Sequence, residues 1–386
     1  MLSLDFQIHF SKLEDPRVTN HNTRHKFIDI LVLAFVSILC GCDDWVEAVS
    51  FCKSKKAFFK QFLSLPHGIP SHDTFSRVFS MIDSQHFETL FIAWMNELFV
   101  KTKGEILALD GKTLRGSRTH LKGIHLVHAW ACQNNLTLGA MRVDDKTNEI
   151  TVIPKLLKLL DIAHCTVTLD AMGCQRTIAE TIIQRKAEYV LHVKENQHEL
   201  KTEIESAFKF LEMRPDLTHW DSGTQTETGH SRLETRQYIS IPVLEHANIH
   251  PDWVGIQAAT KVIRTRTIQE QTSTEICYFI SSHPYHSSTI NKAIRSHWRV
   301  ENNLHWQLDI SFNEDLCRSR VKNEAQNIAL LRRITMACLK KDTLSKVGIK
   351  CKRKKAGWDE QYLLDVITHL SPQPPCETSL TKSQDS

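Results

Sequence analysis

Residues 27–40, FIDILVLAFVSILC, are apolar almost all round and predict a buried helix. The run includes Asp29 and spans 14 residues, too short to cross a bilayer. WVEAVSFCKSKKAFFKQFLSL (45–65) repeats apolar positions at helical spacing and predicts one helix ended by Pro66. In HGIPSHDTFSRVFSMID (67–83), Ser71 is a suitable N-cap and Asp73 lies in the first turn, where the helix dipole favours an acid. Phe75, Val78 and Phe79 then face a core. Residues 1 to about 100 therefore read as an all-α N-terminal domain.

From residue 105 the period changes. EILALDG (105–111) is a short apolar run that stops at Asp110 and Gly111. IHLVHAWACQ (124–133) and LTLGAMRV (136–143) flank Asn134-Asn135 and predict a hairpin. EITVIPKLLKLL (149–160) turns helical after Pro154, and CTVTLDA (165–171) is a second buried strand, ending at Asp170. CQRTIAETIIQRKA (174–187) is helical and EYVLHVK (188–194) is a strand. The order is β-β-β-α-β-α-β, an α/β pattern in which helix-linked strands become parallel neighbours by right-handed crossover. Residues 195 to about 285 predict a β-rich insertion that opens on a polar helix. A long helical region follows, about 289–340, and the Pro/Ser/Thr-rich stretch after Ser371 predicts disorder. The implied domains are 1–100, 101–345 with the insertion, and a basic segment with tail over 346–386.

Composition narrows this picture only slightly. The chain has 386 residues, 41% hydrophobic and 24% charged, with a net charge of +4. This is the globular range, and the average charge selects no partner. Eleven scattered cysteines without a Cys-x-x-Cys argue against a secreted disulfide framework and a cysteine zinc site, and fit a reducing cytosol. The N-terminus has early acids and no apolar signal region, so a cytoplasmic chain with no membrane partner is expected. Charge is uneven, however: Lys340 to Lys355 holds eight Lys or Arg against Asp342 alone. Such a run, which includes Lys352, Arg353, Lys354 and Lys355, suits nucleic acid, although a solvated cationic segment reads the same way. The Gly68-Ile69-Pro70 turn between two helices is compatible with a helix-turn-helix that turns His72, Ser76 and Arg77 to DNA, or with a plain helical hairpin.

The candidate chemistry lies in carboxylates. Asp110 and Asp170 each end an apolar strand, and ligands of open α/β sheets gather at those ends. On adjacent strands the two would need a proton or a cation between them. Two Asp and one more acid could hold two magnesium ions ~4 Å apart, a separation suited to phosphodiester chemistry. Alternatively each Asp caps a following turn. A third acid is available in HWRVENNLHWQLDISFNED (297–315), where a helix would set His297, Glu301 and His305 on one face. Leu304 and Leu308 would anchor that helix, with Trp298 and Trp306 packed beneath it. Zinc on the same face is disfavoured, because H-E-x-x-H is absent and one straight helix cannot wrap three ligands around the ion. Gly111-Lys112-Thr113 fails as a phosphate loop, since Ile106 stands where the first glycine is needed.

LALDGKTLRGS (107–117), TLDAMGCQRTIAETI (168–182), YVLHVKENQ (189–197) and residues 297–315 are similar to blocks of bacterial insertion-sequence DDE transposases. The likeness is to the branch that includes the H-repeat-associated proteins, and it runs from about residue 10 to 365; GIPSHDTFSRVF also resembles the N-terminal domain associated with that branch. The resemblance implies a ribonuclease-H-like mixed sheet flanked by helices, a β-rich insertion, and a catalytic, metal-holding triad of Asp110, Asp170 and Glu301. It further implies two Mg2+ ions, with Mn2+ as a substitute. Their chemistry would be DNA end cleavage and strand transfer by a homodimer on terminal inverted repeats and target DNA, in the nucleoid. Arg115, Lys194, His297 and Arg299 are then expected phosphate contacts. Two departures stand out. Ile294, His297 and Leu308 occupy positions where related transposases carry Tyr, Arg and Lys, and Glu195 replaces a glycine in Lys194-Glu195-Asn196-Gln197. A catalytically inactive DNA-binding remnant and a stand-alone nuclease of the same fold are the competing functions.

Overall fold

A computed structural model describes the chain except residues 1–3, 19, 21–22, 100–103, 119–122, 145–146, 215–219, 230–231, 244–246, 248, 270 and 369–386. The expected disorder after Ser371 lies outside the described residues. The chain divides into two compact units, one of residues 1–98 with 321–386 and one of residues 99–320.

The first unit opens with α1 (Asp5–Phe10) and α2 (Phe27–Leu39). In α2 every residue from Asp29 to Leu39 is buried, as its unbroken apolar character requires. The expected helix over 45–65 is two, α3 (Trp45–Ser54) and α4 (Lys56–Phe59), with a break at Lys55 (φ −101°, ψ 20°). The break folds the chain back so that Phe59 meets Phe51 edge-to-face at 6.2 Å, where eight residues of straight helix would set them about 12 Å apart along the axis. Asp44 caps α3 by accepting from the Val46 and Glu47 amides. In α5 (His72–Met81), Ser71 Oγ accepts the Thr74 amide, and Phe75, Val78 and Phe79 are buried as expected. Trp45 stacks on Phe75 at 5.3 Å. α6 (Ser84–Leu98) closes this part of the unit.

The second unit is built on one mixed sheet of nine described strands: β1 (Ile106–Thr113), β2 (His125–Ala131), β3 (Leu136–Val143), β4 (Thr166–Leu169), β5 (Glu188–Val193), β6 (Asp221–Gly229), β7 (Arg232–Pro242), β8 (Ala258–Ile268) and β9 (Gln271–Ser281). The spatial order is β3-β2-β1-β4-β5-β9-β8-β7-β6. Its first five strands form the ribonuclease-H-like core, with an antiparallel β3-β2-β1 meander and parallel β1-β4-β5. Asn135, at φ 54°, turns the β2–β3 hairpin. β1 does not stop at Asp110; its pairing with β2 carries it on to Thr113. α7 (Glu149–Leu159) and α8 (Arg176–Gln184) supply the crossovers into β4 and β5. α7 starts five residues before Pro154, which therefore sits inside the helix, where it removes one amide donor without ending the element.

The insertion continues the same sheet. α9 (His198–Met213) precedes β6, and β9 pairs antiparallel with β5. Residues of β8 and β9 near β5 are buried, and their far ends are exposed. Along that solvent-facing ribbon, cross-strand threonines meet at Thr267–Thr272 (3.0 Å) and Thr226–Thr235 (3.3 Å). After β9, α10 (Ser288–His297) lies across β1, β4 and β5. The helix is then interrupted. Glu301–His305 is a π-turn in which the Trp306 amide donates to the Glu301 carbonyl, and α11 (Trp306–Phe312) ends at Asn313 in the left-handed region (φ 49°).

α12 (Glu324–Lys341) belongs to the first unit, although the sequence assigns it to the catalytic domain through residue 345. It is buried on every side from Glu324 to Leu339, because its polar groups find partners among the N-terminal helices. Arg333 makes a bidentate bond to Glu88 (2.7 and 2.6 Å), Asn327 Nδ2 donates to the Phe79 and Ile82 carbonyls, and Trp45 Nε1 donates to Glu324 at 2.7 Å. α13 (Ile349–Trp358) and α14 (Glu360–Thr368) complete the unit. No helix among the described residues is long and apolar enough to cross a membrane.

The Arg333–Glu88 pair should be costly to split. Arg333→Met alone strands the Glu88 carboxylate and should lower unfolding free energy by about 3–5 kcal/mol. Adding Glu88→Leu should recover most of that loss. Urea unfolding of the two variants checks this, and an equally unstable double variant would contradict it.

Candidate active site

The paired strands β1 and β4 position the first two acids. Their parallel register matches Leu109 to Leu169, so Asp110, inside β1, and Asp170, directly after β4, follow the last parallel pair at the same level. Asp170 also caps its own turn, as the simpler sequence reading requires, whereas Asp110 lies inside β1 and caps none. The Gly111 amide donates to Asp110 Oδ1 (2.9 Å), and the Gly173 amide donates to Asp170 Oδ1 (3.3 Å). Burial pushes the Asp110 carboxyl up to about 7, with the Asp170 charge adding to it, then those of Glu149 and Glu301. Asp170 is raised for the same reason, burial first; the amides of Gly173 and Met172 and the Lys194 charge pull against it. Two carboxyls thus share a desolvated cleft in which both cannot comfortably be ionised.

The third acid arrives from the π-turn. Glu301 is exposed, and its charge is felt at Asp110. Leu304 and Leu308 anchor the segment with no exposed surface, as expected. The wide turn alters the angular spacing that a straight α-helix would give His297, Glu301 and His305. Trp298 and Trp306 do not pack beneath the helix: they are 40% and 52% exposed, and Trp298 lies 5.0 Å from the Arg264 guanidinium of β8. The insertion also grips α10 directly, through a bidentate Arg295–Glu227 pair (3.0 and 2.7 Å).

Several neighbours complete the cleft, and of these the sequence singles out His305 alone. His305 Nδ1 lies 3.4 Å from Asp110 Oδ2, and burial drives the His305 pKa down to about 3, so its ring is neutral. Lys112, two residues past Asp110 on the same strand face, donates to both Asp309 oxygens (2.7 and 2.8 Å). Asp315 and Glu314 stand 3.7 and 4.0 Å from the same ammonium. Glu149, at the start of α7, faces both catalytic-candidate aspartates. Such contacts join residues far apart in the chain, and local spacing cannot reveal them. Among the described residues, no group of three or more His, Cys, Asp or Glu side chains could hold a metal ion as it stands.

The expected phosphate contacts fare unequally. Arg115, Lys194, Arg299, Arg77 and Lys354 are exposed. Arg115 is drawn toward Asp315 at 3.5 Å. His297 is half-buried and burial pulls its pKa to about 4, so it offers a phosphate no cationic charge. Lys352 and Arg353 are corrections: both are buried inside the helical unit. Lys352 Nζ donates to the Leu339 and Asp342 carbonyls (3.0 and 2.6 Å), and Arg353 Nη2 donates to the Ile38 carbonyl (2.8 Å) and Asp43 (3.2 Å). Their charges close open backbone carbonyls at helix ends and are withdrawn from solvent. Lys355 lies over the Tyr362 ring at 4.2 Å. Glu195 turns away from the acids to bond Lys201, with His198 at 3.4 Å.

The family described as Transposase DDE domain matches residues 101–339, and the one described as DDE_Tnp_1-associated matches residues 7–95. The chain belongs to the DDE transposase family. It is 38% identical over 355 residues to the putative transposase YncI of Escherichia coli O157:H7, covering 90% of each chain. It is 35% identical over 367 residues to the H repeat-associated putative transposase YhhI of Escherichia coli K12, covering 93% of this chain and 96% of that one. Over a 56-residue stretch it is also 38% identical to a protein of that strain named inactive transposase YbfQ. A solved piggyBac transposase synaptic complex with hairpin DNA is similar at a TM-score of 0.42 and 14% identity, covering 94% of this chain and 75% of that one, which is too slight to carry an argument.

The raised Asp110 carboxyl makes a pH prediction for the metal-free protein. Folded, Asp110 holds its proton up to about 7; unfolded, it releases it near 3.8. Between these values folding takes up a proton, so this group's contribution to stability falls as pH rises from about 4 to 7. Asp110→Asn removes the penalty. It should raise the melting temperature at pH 8, corresponding to at most about 4 kcal/mol at ~1.4 kcal/mol per tenfold in proton affinity. At pH 4 the two proteins should melt nearly together. An equal shift at both pH values, read by scanning calorimetry in EDTA, would contradict the crowded cleft.

Proposed function

We propose that this DDE transposase cuts the ends of an insertion sequence and joins them to target DNA, using Asp110, Asp170 and Glu301. The observation that carries the reading is the in-register placement of Asp110 beside Asp170 at β1 and β4, where burial, and then the Asp170 charge, keeps Asp110 protonated near neutrality. A divalent cation relieves that repulsion, and clustered hard carboxylate oxygens suit Mg2+, with Mn2+ as a substitute. DDE transposases as a family use such ions. When bound, the ion would supply Lewis-acid stabilisation and a reactive hydroxide for phosphodiester cleavage.

The chain's own residues have distinct tasks. Asp110 and Asp170 present carboxylate oxygens at the strand ends, with one oxygen of each steadied by a backbone amide. Neutral His305 buttresses Asp110 and excludes water from its flank. Exposed Lys194 and Arg299 offer cations to the DNA backbone beside the acids, with Arg115 further along β1's exit. Exposed Trp298 and Trp306 flank Glu301 and offer ring faces on which bases can stack. DNA partners are the element's terminal repeats and the target, and joining two ends calls for two copies of the chain in one complex.

The test is nicking of DNA carrying the element's own ends, with Mg2+, by the full chain. Asp110→Asn, Asp170→Asn and Glu301→Gln should each lower cleavage by at least about 1,000-fold while leaving end binding within a few-fold, as expected for groups acting on developing charge. End binding without nicking by the unaltered chain would establish the inactive remnant. Cleavage indifferent to end sequence would establish the nuclease. Retained nicking in Glu301→Gln would remove Glu301 from the triad.

A further inference from the structure

Glu149 stands outside the acid set read from the sequence, yet the structure brings it to the same cleft. Gly111, directly after Asp110, is the point of contact. A Cβ there would overlap the Glu149 carboxylate and fall 2.6 Å from His125 Nε2. Bare backbone at this position is what lets the carboxylate approach β1. The oxygen that lies over Gly111, Oε1, is the one that His125 holds. His125 Nε2 is 2.6 Å from Glu149 Oε1, and His125 Nδ1 is 2.8 Å from Thr113 Oγ1. Thr113 and His125 are cross-strand partners in the β1–β2 ladder, so the relay is fixed by the sheet. With the Thr113 hydroxyl donating to Nδ1, the Nε2–H donates to Glu149, which sets both the tautomer and the direction of the free oxygen. The charge of Glu149 bears on Asp110 and on Asp170 alike.

Resting on the function proposed above, we propose that Glu149 is a fourth acid of the cation-binding cleft and that His125 is the positioning residue that aims it. An ion between β1 and β4 would then meet acids from two strands, from the start of α7 and from the π-turn. Of these, Glu149 is the one whose carboxylate is held by a side-chain relay rooted in the sheet. A simple structural His–Glu pair would instead affect folding and leave cation affinity alone.

Calorimetric titration of the DNA-free full chain with Mn2+ separates these roles. Glu149→Gln should weaken Mn2+ binding by about 10-fold or more, and His125→Asn by a smaller factor, with little change in the metal-free melting temperature. Glu149→Asp, which keeps the charge on a shorter stem, should bind several-fold more weakly than the natural chain, and it decides the matter should Glu149→Gln fail to fold. If the Glu149 variants bind Mn2+ with unchanged affinity while Asp110→Asn loses it, the fourth acid is refuted and the three-acid reading stands. If Asp110→Asn also binds unchanged, the cation does not occupy this cleft and both readings fall.

Discussion

The site depends on one pairing, the parallel alignment of β1 with β4. Leu109 opposite Leu169 buries two apolar side chains and commits the next residue of each strand to the same end of the sheet. Sheet pleat gives no freedom to separate them, since a one-residue slip would turn both buried faces outward. Two carboxyls are thereby held together by hydrophobic burial and backbone hydrogen bonds, against their own repulsion. The raised proton affinity of Asp110 is the electrostatic trace of that constraint. On the proposed function, such a cleft would exchange its proton for a cation.

The acid-rich segment after α10 divides its charges between two tasks. The charge of exposed Glu301 bears on Asp110, while Asp309, Glu314 and Asp315 surround the buried ammonium of Lys112. Lys112 belongs to the same strand as Asp110, so this ion cluster locks the segment to the strand that carries the first acid. A buried cation is tolerated only when paired, and here three carboxylates share the pairing. The β-ribbon adds a second grip on α10 through Arg295 and Glu227, and meets its end through Arg264 and Trp298. The insertion therefore shapes the approach to the acids as well as widening the sheet.

In the helical unit, burial of charge again organises the structure. α12 crosses the interior with Arg333, Asn327 and Glu324 each bonded to an N-terminal element. Arg353 and Lys352 close carbonyls at the ends of α2 and α12. The basic run therefore splits by burial: part of it seals helix ends, and part, including Lys354, faces solvent. Charge density along a sequence does not distinguish these uses, because a guanidinium bonds a buried carbonyl and a phosphate with the same donors.

Local chemistry alone determined much of this protein. Apolar period placed α2, β1, β4 and β5; Ser71 and Asn135 marked a cap and a turn; two strands ending in aspartate located the cleft. These features depend on neighbours within a few residues, where side-chain type dictates backbone shape. Tertiary structure decided the rest. It widened the turn at Glu301, exposed Trp298 and Trp306, and withdrew Lys352 and Arg353 into the interior. It also moved α12 into the helical unit and carried Glu149 and His125 to Asp110. Each of these outcomes depends on partners tens to hundreds of residues away, and their energy comes from burial and charge pairing that no local window contains.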